Sequence, residues 1–120
     1  MRKAKALLDF FRRFKCPQPY YIDDYVHAAD QNNLDYRILA AISVQESSCG
    51  RYYPEGSNNL YGWDSGRERF ASVPAAIDYI SEQLAGGRYY AGKSLVDKLH
   101  AYNPNPEYAP KIIGLMESIK

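Results

Sequence analysis

The chain has 120 residues and a formal net charge of +1, with 24% charged and 46% hydrophobic positions. That is one domain's worth of sequence, long enough to bury roughly two-thirds of its unfolded surface without staples. The near balance of charge argues against a nucleic-acid binder, and no stretch is apolar for long enough to span a membrane. The balance hides an asymmetry. Residues 1–15 hold six basic side chains against Asp9 alone, a net of +5, so the remaining residues, 16–120, carry −4.

Leu7, Leu8, Phe10, Phe11 and Phe14 recur at helical spacing, so the spacing predicts a basic amphipathic helix over 1–15. Asp9 interrupts an apolar run too short for a signal peptide, and no small-residue cleavage site follows. Such a helix either packs on the domain with its basic edge in water or also touches an anionic envelope surface. Pro17 and Pro19 end it, and residues 16–120 read as the main domain. A second helix is predicted over 22–31, with Asp23 and Asp24 in the first turn where the helix dipole favours acids. Asp35 is placed to cap a third helix over about 36–48, and Gly50 to stop it.

The loop "RYYPEGSNNLYGWDSGRERF" is too polar and irregular for a core element. It has room for at most a small hairpin. Ser72 caps a fourth helix with Pro74 in its first turn. Val73, Ile77, Ile80 and Leu84 form its buried stripe, and Gly86–Gly87 ends it. Ser94 and Asp97 resemble a capping box opening a short fifth helix to about 101. A last helix carries Ile112, Leu115, Met116 and Ile119, with Pro106 or Pro110 in its first turn. The expected fold class is all-α or nearly so.

Cys16 and Cys49 have no second pair, which argues against a zinc site. They are either two buried thiols or, in a secreted protein, one disulfide. Twelve tyrosines and one tryptophan are unusual, and several tyrosines come as doublets, Tyr20–Tyr21, Tyr52–Tyr53 and Tyr89–Tyr90. Rings with a polar edge suit either the margin of a core or a wet groove that stacks flat ligands such as sugars.

Glu46 is the first candidate for chemistry. On a helix, Ile38, Ile42 and Glu46 share one stripe, which should face the core or line a cleft. Desolvation there disfavours the charged form, and the negative end of the helix dipole pushes the same way. A carboxyl that keeps its proton near neutral pH suits a general acid. The plain alternative is a solvated glutamate fraying at a helix end. The loop that follows adds Asn58, Asn59, Tyr61 and Trp63, amide and aromatic groups suited to holding a sugar chain.

In order, "VQESSCG", "NNLYGW", "FASVPAAIDYI" and "YNPNPEYAPKI" resemble the four elements of the bacterial glucosaminidase domain family, part of the lysozyme-like superfamily that includes the lytic transglycosylases. The matching segments span about 40–113. The resemblance implies a compact lysozyme-like helical domain that cuts the β-1,4-linked GlcNAc/MurNAc backbone of peptidoglycan. It implies Glu46 as general acid, Asn59 and Tyr61 in the loop lining the cleft, and Tyr102 beside the carboxylate, steadying charge; Asn103, next to Tyr102, is expected to bind substrate. Tyr108 corresponds to a packing tyrosine. The chain departs from that pattern in one place. Family members carry a long lobe with a second carboxylate between the N-N-L element and the phenylalanine. Here 51–70 is short, and Asp64 and Glu68 are the acids left to serve. A two-carboxylate mechanism needs its partner within roughly 5–10 Å. Without one, Glu46 would act nearly alone, as in a lytic transglycosylase.

The remaining candidates carry less. His27 and His100 are isolated and read as surface histidines. Ser47 and Ser48 lack a base, and no phosphate loop or nucleophile elbow occurs. The expectation is therefore a cofactor-free, metal-free monomer, secreted or in the cell envelope, whose partner is the peptidoglycan glycan strand. The competing readings are a non-catalytic wall-binding module and a helix-turn-helix DNA binder. Against the latter, the second of its two helices offers only Arg37 to a phosphate.

Overall fold

A computed structural model describes residues 2–120, and these form six α-helices with no strand among them. The helices are α1 (Arg2–Arg13), α2 (Ile22–Gln31), α3 (Ile38–Ser47), α4 (Val73–Gly86), α5 (Leu95–Tyr102) and α6 (Tyr108–Glu117). The protein is all-α. The small hairpin allowed for in 51–70 does not form. Instead Phe70 N donates to Ser57 O at 2.8 Å and Asn58 Nδ2 to Phe70 O at 2.9 Å, which closes the loop on itself.

α3 is the centre of the core. Ile38, Leu39, Ala40, Ala41, Ile42, Ser43 and Ser47 are all buried, so the helix is covered on nearly every side. The two buried serines return their hydroxyls to the helix itself, Ser43 to Ala40 O and Ser47 to Ser43 O. α6 packs on α3 and α5, while α2 packs on α1 and α4. Ile77, Ile80 and Leu84 of α4 and Ile112 and Met116 of α6 complete the same apolar cluster. Each such side chain contributes about 1.5–3 kcal/mol by leaving water.

α1 shares this core. Leu7, Phe10 and Phe11 are buried in it, while Arg2, Lys5 and Arg12 point into solvent. Phe14, at 36% exposure, lies on the rim of the stripe. Two devices tie the end of α1 to the end of α3. Cys16 and Cys49 are disulfide-bonded, with Cα atoms 5.5 Å apart. The Arg51 guanidinium donates to the carbonyls of Phe14 and Lys15, which α1 leaves unpaired.

Two boundaries of α3 differ from the sequence reading. Asp35 does not cap the helix. Its carboxylate takes the Arg37 backbone N–H and guanidinium, closing a turn before Ile38. The helix also stops before Gly50, because Ser48 (φ 51°) and Cys49 (φ 54°) already adopt the left-handed conformation. The disulfide and the Cys49 N–H bond to Ser43 O hold that turn. Ser72 and Ser94 cap α4 and α5 as expected, accepting from Ala75 N and Asp97 N. Pro110, rather than Pro106, sits in the first turn of α6.

Candidate active site

Glu46 lies one residue before the end of α3, and its side chain lines a cleft of about 560 Å³. The 62–68 loop lines it with Gly62, Trp63, Asp64, Ser65 and Glu68, and the chain beyond α4 with Tyr89, Tyr90, Tyr102, Asn103 and Pro104. The carboxyl rests against the loop backbone. A Cβ on Gly62 would stand 2.5 Å from Glu46 Oε1, and Gly62 has φ +64°. Only glycine meets both demands without strain.

Over its whole surface Glu46 is an exposed residue, more open than its place on the Ile38–Ile42 stripe implied. Its carboxyl is nonetheless partly desolvated, and that burial raises its pKa. The Tyr108 hydroxyl opposes the rise by favouring the anion. That hydroxyl is close enough to act on the carboxyl, but it is buried and forms no hydrogen bond.

Trp63 anchors the aromatic side of the cleft. Its ring centroid lies 6.1 Å from Tyr79, 5.9 Å from Tyr90 and 5.7 Å from Tyr102, with Tyr79 and Tyr102 edge-on. The Trp63 ring is half-buried and Tyr89 is 65% exposed, so an apolar face is open to a flat ligand. Tyr102 stands in this wall as expected. Its hydroxyl, however, is committed to the Tyr61 carbonyl, and burial pushes its pKa well up. Its proton is therefore not free to serve Glu46.

Three of the residues read as sugar contacts are loop anchors instead. Tyr61 is fully buried, and its hydroxyl pairs with that of Tyr25 at 2.7 Å. Asn59, 1% exposed, uses Nδ2 to reach the carbonyls of Trp63 (2.9 Å) and Glu68 (3.0 Å), while Oδ1 accepts from Trp63 N (3.1 Å). Asn58 holds Phe70 O, away from the cleft lining. They shape the wall that carries Trp63, Asp64 and Glu68 and leave contact to those side chains. Asn103 does line the cleft, half-buried, with its Oδ1 accepting from Asn105 N at 3.0 Å.

Asp64 and Glu68 share the cleft with Glu46. Asp64 is exposed and paired with Arg67 at 2.9 Å. Asp64 and Ser65 are left-handed, φ 52° and 54°, which turns the chain tightly beneath Trp63. Tyr89, Tyr90 and Pro104 were not singled out in sequence as contacts. The Tyr89–Tyr90 doublet was the available signal. His27 and His100 are exposed on the surface, outside the cleft lining. Among the described residues no group of three or more His, Cys, Asp or Glu could hold a metal ion.

The cleft thus combines a partly desolvated carboxyl, two further acids and an open aromatic face, with no lysine, arginine or histidine in its lining. Such a site can stack a flat polar ligand and hand it a proton. Comparison of the chain with protein-family models, with curated proteins and with solved structures found no match.

Proposed function

We propose that the protein is a peptidoglycan-cleaving glycosidase acting on the β-1,4-linked GlcNAc/MurNAc backbone, with Glu46 as general acid. The observation that carries this reading is a single one. The carboxyl at the end of α3, with a raised pKa, lies in the same cleft as the Trp63, Tyr89, Tyr90 and Tyr102 rings. The resemblance of the four sequence elements to glucosaminidase domains supports the same substrate.

In this mechanism the sugar chain lies along the rings, and Glu46 protonates the glycosidic oxygen as the bond to the anomeric carbon breaks. Asp64 or Glu68 then supplies the second carboxylate, activating water or holding the sugar cation. A second reading is a lytic transglycosylase, favoured by the exposed ion pair that Asp64 makes with Arg67. There Glu46 also takes back a proton while the substrate's own hydroxyl closes an anhydro ring. Reducing ends or anhydro ends, read by mass spectrometry, distinguish the two.

The Cys16–Cys49 disulfide supports work in an oxidising compartment, outside the cell or in its envelope. The exposed basic side chains of α1 support contact with anionic envelope surfaces. The test is clearing of purified cell walls by wild type and by Glu46→Gln. Loss of the acid should lower the rate about 10²–10⁴-fold. Equal clearing by the two proteins refutes the mechanism.

A further inference from the structure

Among the described residues, one buried side-chain polar atom lacks a hydrogen-bond partner, and it is the Tyr108 hydroxyl. Buried hydroxyls are nearly always paired, so an exception calls for a physical reason. Tyr108 is 5% exposed and opens α6, the helix packed on α3. Its ring lies parallel to that of Tyr102, 6.1 Å away at an interplanar angle of 3°. The stacked pair divides its labour. The Tyr102 hydroxyl is spent on the Tyr61 carbonyl. The Tyr108 hydroxyl is unspent, and its ring is stacked on Tyr102, which lines the same cleft as Glu46.

We propose that Tyr108 is a positioning residue for Glu46, its hydroxyl held without a partner until Glu46 becomes an anion and then donating to the carboxylate. The inference rests on the reading of Glu46 as a general acid. In that reaction the proton leaves Glu46 for the glycosidic oxygen, and the electron pair of the breaking C–O bond goes to the same oxygen. The sugar cation is captured by water or by the substrate's own hydroxyl. Tyr108 keeps its proton throughout and shares it only through the hydrogen bond.

The surroundings leave this task to a hydroxyl. From the 62–68 loop, Asp64 and Glu68 line the cleft, and neither can donate to a carboxylate as an anion. The lining also holds Tyr89, Tyr90 and Tyr102, and no cationic side chain lines the cleft. Glu46 also sits at the negative end of α3. Burial opposes an anion at position 46, and the Tyr108 hydroxyl favours it.

The test is Tyr108→Phe, which keeps the stacked ring and removes the hydroxyl. Without any substrate, a ¹³C NMR titration of the Glu46 carboxyl should move to higher pH than in wild type. The melting temperature should hold or rise, because an unpaired buried polar group has been deleted. In wall clearing, kcat should fall about tenfold, the worth of one hydrogen bond to a charged group, with KM unchanged. The alkaline limb of the pH profile should follow Glu46 upward. In the wild type, the Tyr108 ¹³Cζ shift should report the Glu46 midpoint, a measurement that stands even if the variant does not fold. A Glu46 titration unchanged in the variant, or a Tyr108 shift blind to Glu46, overturns the role. If walls are still cleared in that case, the glycosidase reading survives and only Tyr108 is lost. A wild type that clears no walls overturns both.

Discussion

Replacing Gly62 by alanine puts a methyl group where Glu46 keeps its carboxyl. The added Cβ would stand 2.5 Å from Oε1 and 3.0 Å from Cδ of Glu46, on a residue whose φ is +64°. Two costs combine. The left-handed conformation costs a residue with a Cβ about 1–2 kcal/mol. The contact forces the carboxyl to move, and a shift of about 1 Å in a reacting group costs on the order of 10²-fold in rate. Gly92 separates the two effects, because its φ is +75° but a Cβ there meets nothing within 4 Å. Gly92→Ala should therefore lose stability comparably, with a fall in melting temperature of about 3–6 °C for each kcal/mol, and clear walls at the wild-type rate. Gly62→Ala should lose that stability and about 10²-fold of the rate besides. Thermal unfolding and wall turbidity, measured on both variants, check this. If Gly62→Ala clears walls like Gly92→Ala, the Glu46 carboxyl is not the reacting group held by this loop.

The raised Glu46 pKa gives a second expectation, independent of activity. Ionising a partly desolvated acid costs the folded state, so stability is complete below the ordinary glutamate pKa and is lost as pH rises through the folded one. Glu46→Gln should thus gain on wild type in melting temperature between about pH 4 and pH 8, and a gap that does not widen refutes the desolvation. Asn59→Ala removes four side-chain hydrogen bonds, with the Tyr61 and Trp63 N–H groups and the Trp63 and Glu68 carbonyls, and should cost about 2–4 kcal/mol in urea unfolding. A loss under about 0.5 kcal/mol would mean that water replaces the amide. Tyr61→Phe strands the buried Tyr25 hydroxyl at about 1–3 kcal/mol, whereas adding Tyr25→Phe should recover much of it. Additive losses in that cycle would deny the pair. Reducing the Cys16–Cys49 bond, which closes a loop with a sequence separation of 33, should cost about 4 kcal/mol, seen as a lower urea midpoint.

The helices were legible because their signals are local. The stripes of Val73, Ile77, Ile80 and Leu84 in α4 and of Leu7, Phe10 and Phe11 in α1 repeat at the helical period. Ser72 and Ser94 announce helix starts through bonds only three residues long. Glu46 was legible for the same reason, since its place at the end of α3 follows from the helix that bears it. The tertiary structure decided everything that depends on which way a loop side chain turns. Asn59 and Tyr61 carry groups fit for a sugar, yet the loop needs Asn59 to pair its own carbonyls, and Tyr61 fills the core against Tyr25. Tyr89 and Tyr90 reach the cleft because the chain beyond α4 folds back toward Trp63. The union of Cys16 with Cys49 and the approach of Tyr108 to Glu46 likewise join residues far apart in the chain. A pattern along the backbone states what a residue is able to do. Burial and partner, which settle what it does, arise only when distant segments compete for the same space.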